Sequence, residues 1–429
     1  MKLPLDHPLR RELNDEVHAR PPDALKSPCR ITYLAVLPKS SERPAEWKHI
    51  CDLCRSRGIE PPRPDANHFA VDIGDAYFKW ERHTEFTRYN FVTWGPGSGL
   101  FQGTNISADL QSWVDGILGE TIVAAQLELT PAPDRKFDTD AISRDCFSGN
   151  SVIGATLSGG TATGFTDLRI RDDGFSRVLV LDHGLASRQA GRLVQRLLEI
   201  DTYRMLALLT LPVARSLGIF LNEHERELAE ITSRMTEGGI AEEQALLTRL
   251  TQLEAAIEGR FARDYYRFSA STAYYELVQR RIVDLREERI AGLQTFREFT
   301  ERRLAPAMNT CRVTAARIEA LSERVNRSSQ LLTTRVAVER EKQNQELLEA
   351  LANRARLQLR LQQTVEGLSI AAITYYVVGL IGYLAKAFKS VLHGIEPEVV
   401  IGASVPFVAA GVAYALHQVR KGLDTDGDH

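Results

Sequence analysis

The stretch "TVEGLSIAAITYYVVGLIGYLAKAF" runs from Thr364 to Phe388 near the end of a chain that is otherwise densely charged. Its reading decides the fold. Leu368 to Ala385 is a run of eighteen residues without a charge, and Val399 to Leu416 is a second run of eighteen. Each spans roughly 27 Å as a helix, close to the ~30 Å hydrocarbon core of a bilayer. The polar connector between them, "KAFKSVLHGIEPE", carries Gly394 and Pro397, which suit a turn. A buried helical hairpin in a large core is the competing reading, but uncharged runs this long are uncommon in soluble helices. The expectation is a two-helix transmembrane hairpin over residues 367–419, with spans at about 368–385 and 399–416 and a tail at 420–429. The lipid bilayer is then a partner.

Neither span contains Asp, Glu, Lys, Arg or His, which argues against a proton relay or charged ion site within the bilayer. The start of the sequence has no apolar run of the signal-peptide kind. Arg354, Arg356 and Arg360 precede the first span, and Arg420 and Lys421 follow the second. Lys386 and Lys389 weaken this asymmetry. Together these features predict a multi-pass protein of the cytoplasmic (inner) membrane with both termini in the cytoplasm. Five cysteines without a disulfide pattern suit a reducing compartment. The net charge of -3 gives no reason to expect nucleic acid as a partner.

Upstream of the spans, apolar residues recur at helical spacing with no glycine between Pro306 and Gly367. Ile318, Leu321, Val325, Leu332 and Val336 form one stripe, and Leu347, Leu351, Leu357, Leu361 and Val365 resume it. This predicts a long stalk helix over 306–366, reset by Pro306. Two readings of its stripe stand: packing against preceding helices, or an intermolecular coiled coil. Residues 184–305 read as a helical domain, with "SRQAGRLVQRLLEIDTYRMLALLTLPVARSL" (187–217) a packed helix and 260–303 helical throughout.

Residues 1–183 read as an α+β cytoplasmic domain. Predicted strands lie at 29–37, 67–74, 76–86, 89–95, 121–129, 151–160, 163–170 and 175–182, with a helix at 45–58. The regular alternation of a doubly wound nucleotide fold is absent from the pattern.

The densest polar constellation is "FKWERHTEF" (78–86). On a strand, Glu81, His83 and Glu85 share one face, the arrangement of a candidate metal site, although solvated or arginine-paired charges give the same pattern. A divalent metal is the one cofactor this suggests; none is otherwise expected. "CDLC" (51–54) lacks the second pair that zinc ribbons need, so Cys51 and Cys54 read as packing residues. "WGPGSGLF" (94–101) and "TLSGGTATGF" (156–165) read as a glycine-rich loop and a hairpin turn; neither has a Walker pattern, and phosphate binding is open at both. Asp167, Asp172, Asp173 and Asp182 are scattered cation-ligand candidates, with Asp173-Gly174 more simply a turn. No catalytic triad or dyad emerges, and no enzyme activity is expected.

Four stretches resemble a bacterial family of uncharacterised membrane-anchored proteins, a domain-of-unknown-function family: "ELNDEVHARPP" (12–22), "KWERHTEFTRY" (79–89), "LLEIDTYRMLALLTLPVAR" (197–215) and "VEGLSIAAITYYVVGLIGYLAKA" (365–387). The resemblance implies a membrane anchor and supplies no catalytic residues. In order of elements alone, the chain is similar to CorA-type magnesium channels. Their Gly-Met-Asn signature is replaced here by "GYLAKAF", while Glu396 and Glu398 in the connector are candidates for an outer pore mouth. The leading reading is a membrane-anchored, cytoplasm-facing scaffold or binding module, a homo-oligomer with no identifiable protein partner. A divergent divalent-cation channel or transporter is the alternative, and a metal-dependent enzyme the third reading.

Overall fold

The computed structural model describes residues 4–11, 13–14, 22–102, 106–133, 137–237, 240–387 and 396–425. Most of the 12–22 motif, the connector residues 388–395 with Lys389 and Gly394, and the last residues of the expected tail lie outside them. The chain forms two compact units, residues 1–238 with 245–329, and residues 239–244 with 330–429. The first unit therefore takes in both the strand-rich segment and most of the helical segment after it.

The first unit is built on a mixed sheet of nine strands: β1 (Cys29–Leu37), β2 (His68–Asp72), β3 (Tyr77–Arg82), β4 (Thr87–Trp94), β5 (Glu120–Pro131), β6 (Ile153–Leu157), β7 (Ala162–Thr166), β8 (Ser176–Asp182) and β9 (Glu288–Arg289). Their order is β2-β3-β4-β1-β5-β8-β7-β6-β9. All the strand pairs are antiparallel except β5 with β8, whose connection passes through the β6–β7 hairpin. The hairpin turn holds Gly159 and Gly160 at positive φ, the conformation glycine adopts without a steric cost. Helices α1 (Arg43–Ser56), α2 (Ala108–Val114) and α3 (Thr139–Phe147) lie between strands, and α4 (Ser187–Leu208) and α5 (Thr210–Glu237) follow them.

Both faces of the sheet are covered. On one, Ile31, Tyr33 and Ala35 of β1 and Ala125, Leu127 and Leu129 of β5 pack with Leu193, Val194, Leu197 and Ile200 of α4. On the other, Leu34, Phe78, Trp80, Tyr89 and Phe91 pack with Ile50 and Leu53 of α1 and Leu110 of α2. A separate cluster there joins Phe147 of α3 to Phe165, Leu179 and Leu181. Period-two alternation distributes each strand between these layers. Fully burying one such side chain contributes roughly 1.5–3 kcal/mol. At Gly191 of α4 the N-terminal strap crosses so closely that a Cβ would lie 1.7 Å from the Asp23 carbonyl oxygen.

Helix α6 (Ile240–Leu285) and helix α7 (Phe296–Ala387) depart from expectation at their junction. Residues 260–303 are not one helix: Arg286 and Gly292 take positive φ between them, and β9 joins the sheet against β6. A capping box then starts α7. Thr295 Oγ1 accepts from the Glu298 amide at 3.1 Å, and the Glu298 carboxylate accepts from the Thr295 amide at 3.2 Å. Pro306 does not reset the chain but lies inside α7. Proline costs the helix a backbone hydrogen bond, and burial of Leu304 and Met308 beside it offsets the loss.

The stripe on α7 divides. Ile318, Leu321, Val325 and Leu332 are buried, whereas Leu347, Leu351, Leu357, Leu361 and Val365 are exposed. Within the first unit, Arg317 of α7 bonds Glu225 of α5 at 2.8 Å, so the Ile318–Val325 part packs within the chain. In the second unit, Arg335 pairs with Glu243 at 2.8 Å. Both uncharged runs are helical, the first as the end of α7 and the second within α8 (Pro397–Thr425). At Gly382 a Cβ would meet Ile401 Cδ1 at 3.0 Å.

Among the described residues, three helical stretches are long and apolar enough to cross a membrane: Ser187–Thr236, Phe296–Ala387 and Glu398–Gln418. They differ in what covers them. A third of the most apolar window in Ser187–Thr236 is buried inside the protein, against 17% and 0% in the other two. The first supplies Leu193, Leu197 and Leu206 to the sheet's core.

Candidate functional site

Strand β3 ends at Arg82, so the expected single strand over 76–86 is two pieces: the strand and a hairpin turn leading to β4. The turn closes through the His83 amide, which donates to the Phe86 carbonyl at 2.8 Å. Glu81, His83 and Glu85 therefore do not share a strand face. Among the described residues, no group of three or more His, Cys, Asp and Glu converges as a metal cluster.

Each of the three is placed by its own contacts. Glu81 is 1% exposed and accepts from Arg88 Nε, its cross-strand partner on β4. Arg88 reaches on to Glu199 of α4, Nη1 to Oε1 at 3.1 Å. Glu199 also accepts from Arg281 of α6, and from Gln195 at 2.7 Å. Lys79 lies 3.6 Å from Glu81 and 3.1 Å from Asp23 in the N-terminal strap. One buried network thus ties the strap, two strands, α4 and α6 together. Its formal charges cancel: Lys79, Arg88 and Arg281 against Asp23, Glu81 and Glu199.

Burial pushes the Glu81 carboxyl up, but Arg88 beside it, with Lys79, outweighs that and holds it below the usual range. Burial acts likewise on Glu199 and is overcome by Arg88, Gln195 and Arg281. Arg88 itself is raised despite its desolvation by the two carboxylates.

Glu85 stands apart. Arg267 of α6 binds it bidentately, at 3.0 and 3.1 Å. That contact, with the Tyr274 and Tyr266 hydroxyls, depresses its carboxyl against the upward push of burial. The His83 ring stacks on Phe86, centroids 4.4 Å apart. Around the same hairpin, Glu46 of α1 accepts from Arg82 and from the Tyr89 hydroxyl, both at 3.2 Å.

Other candidates also resolve into local structure. Cys51 and Cys54 are buried free thiols on α1, and burial pushes Cys54 up to about 11, which keeps it a thiol. Asp167 accepts from Asn150 at 2.9 Å and Arg171 at 3.1 Å. Asp173 and Asp182 accept backbone amides of their own turns. Glu396 and Glu398 are exposed at the start of α8 and belong to no carboxylate cluster of three or more among the described residues.

Two of the quoted motifs meet in this network: Lys79, Glu81 and Arg88 come from 79–89, and Glu199 from 197–215. The model of a family described as a protein of unknown function, DUF3422, matches residues 5–423. The chain belongs to the DUF3422 family. No curated protein matches it. The likeness to CorA-type channels has no support from these comparisons and rests on element order alone. In this DUF3422 chain the strand-and-helix motifs are thus the buried ion network. The partners that sequence reasoning missed are Arg88, Glu199, Arg267 and Arg281. One signal was available: Glu199 interrupts an apolar run, "LLEI", on a helix face otherwise made for the core.

Proposed function

We propose that this protein is anchored in the cytoplasmic membrane by the end of α7 and by α8, and that it presents its α+β unit to the cytoplasm as an oligomeric scaffold or binding module. The observation that carries the reading is α7 itself. One uninterrupted helix, Phe296–Ala387, begins at a capping box in the folded unit and ends in an apolar window only 17% buried. Helix α8 follows with an apolar window of which 0% is buried among the described residues. Exposed Tyr375, Tyr376, Leu380, Tyr383, Phe407 and Tyr414 are costly in water and at ease in a bilayer and its interface. Arginines at 354, 356 and 360 support a cytoplasmic start to the first span. The exposed leucines at 347–361 support self-association, because a lone helix of this kind gains little from propensity alone.

A second reading, a divergent divalent-cation channel, draws on the same order of elements, a folded unit followed by a long helix and two apolar runs. It lacks the channel signature, and fold analogy is a weak warrant for function. One experiment addresses both. Truncation after Arg360 is expected to move the protein from the membrane pellet to the supernatant, and the full-length protein in liposomes is expected to pass no Mg²⁺ or Co²⁺. Full-length protein that is soluble without detergent would sink the anchor. Flux from the wild type that the Glu396→Gln/Glu398→Gln double variant loses would favour the channel.

A further inference from the structure

The face of the sheet opposite α4 is apolar at both ends and polar in the middle. Phe78, Trp80, Tyr89 and Phe91 fill one end, and Phe165, Leu179 and Leu181 the other. Between them lie Arg30 on β1 and Gln126, Glu128 and Thr130 on β5, with Arg177 on β8. The glycine-rich loop after β4, "GPGSGLF" (95–101), covers this strip.

Arg30 and Glu128 are direct partners in the β1–β5 register, a placement at which opposite charges ordinarily pair. Here they do not. The Glu128 side chain, 5% exposed, turns to accept the Phe101 amide at 2.5 Å. The Arg30 guanidinium lies under Gly97, where a Cβ would come within 2.9 Å of Nη1. Among the described residues, Arg30 Nε is buried with no acceptor, and so is Arg177 Nε, whose guanidinium stacks over the Phe101 ring at 5.2 Å. A cavity of about 180 Å³ separates loop from strands, lined by Arg30, Glu128, Thr130, Gly97, Gly99 and Leu100 among others. That volume is many times the ~10–15 Å³ that one ordered water needs, and it leaves room for a small α-amino acid of five or six heavy atoms.

We propose that this cavity binds a small zwitterion of the α-amino-acid class, its carboxylate on Arg30 and its ammonium on Glu128. A buried guanidinium donor without an acceptor calls for an oxyanion. A buried carboxylate with one amide partner has acceptor capacity left for an ammonium. Arg177 has Asp173 at 3.6 Å; the charges of Arg30 and Glu128 sum to zero, so a dipolar ligand satisfies both, while a simple anion or a simple amine leaves one of them unpaired. Burial pushes the Glu128 carboxyl up, and the Phe101 amide, Arg30 and Arg177 only partly offset it. A bound ammonium favours the ionised carboxylate, so binding weakens as pH falls and Glu128 takes up a proton. The site lies between loop and strands of the first unit and is independent of the membrane reading.

The test is titration calorimetry on the full-length, detergent-solubilised protein at neutral pH with glycine, L-alanine, propionate, ethylamine and inorganic phosphate. Glycine and alanine are expected to bind with Kd near or below roughly 1 mM, a range open to so small a ligand. Propionate, ethylamine and phosphate are expected to bind at least tenfold more weakly. Arg30→Gln and Glu128→Gln are each expected to weaken alanine binding at least tenfold. Failure of both amino acids to bind the wild-type protein overturns the proposal. So does propionate or phosphate binding as tightly as alanine, which would make this an oxyanion site, and so does undiminished alanine binding by Glu128→Gln. If a variant does not fold, the five-ligand comparison on the wild type decides alone.

Discussion

Two polar regions occupy opposite faces of one sheet, and they handle charge in opposite ways. Around Arg88 on the α4 face, each carboxylate has a cation and each cation a carboxylate. Around Glu128 on the other face, the cross-strand arginine has no ion pair among the described residues, and a cavity opens between loop and strands. Buried charges are tolerated only when they are paired and hydrogen-bonded. The first region pairs each of its charges within the chain, so its role is to hold the strap, strands and helices in register. The second does not, so its requirement points to something from outside. Density of charged residues in the sequence marks the first region. Lack of internal partners marks the second.

The largest effect that sharpens this contrast is the loss of Arg88. Arg88→Met leaves Glu81 and Glu199 buried without their shared guanidinium, and breaking such a pair costs roughly 3–5 kcal/mol. Arg30→Met removes a guanidinium that makes no ion pair among the described residues, and it is expected to cost less than about 1 kcal/mol. Denaturant unfolding of both variants in the same detergent measures the difference. Equal losses would erase the distinction between the two regions.

The pH dependence separates them by sign. Glu81 and Glu199 are depressed below the ordinary value of 4.5, so they contribute stability above that value and lose it as pH falls through their lower folded values. Glu128 is raised above 4.5, so its ionised form is a cost at neutral pH, relieved as pH falls through its folded value. Stability is therefore expected to rise slightly on mild acidification and then to fall below about pH 4.5. Glu128→Gln is expected to remove the rise and to add up to about 1 kcal/mol at neutral pH. A Glu128→Gln protein with the wild-type pH profile, followed by thermal unfolding across this range, would show that the carboxylate bears no such cost.

Local patterns made much of the architecture legible. The strand at 29–37 matches β1 because its β-branched and aromatic residues alternate between two buried layers. The uncharged runs are helices because their length admits little else. Elements fixed by long-range contact were not legible in this way. Arg88 and Glu199 lie 111 positions apart, and sequence records both charges without recording that they meet. The break between α6 and α7 did carry a local sign, the Thr295–Glu298 capping box, but the continuing arginines and aromatics around it mimic one helix. Pro306 misled for the opposite reason. A proline signal is local, and the packing of Leu304 and Met308 that overrides it is tertiary. The Arg30–Glu128 juxtaposition required the register of two strands nearly a hundred residues apart.

The smallest expected effect tests whether the β3–β4 turn belongs with the paired region. His83 stacks on Phe86 at an interplanar angle of 11°, and the turn's backbone hydrogen bond comes from its amide rather than its ring. His83→Ala therefore keeps the turn and loses one ring contact, worth about 1 kcal/mol or less. Glu81 and Glu85, the partners a metal would need here, are already engaged by Arg88 and by a bidentate Arg267. A cation at His83 would have to displace both arginines, and each then becomes a desolvated charge without its carboxylate. Bound divalent metal per chain, measured by elemental analysis after dialysis, is expected to be the same in His83→Ala as in the wild type. A stoichiometric metal in the wild type that the variant loses would break the comparison, because it would make the turn a binding site inside the region whose charges are already paired.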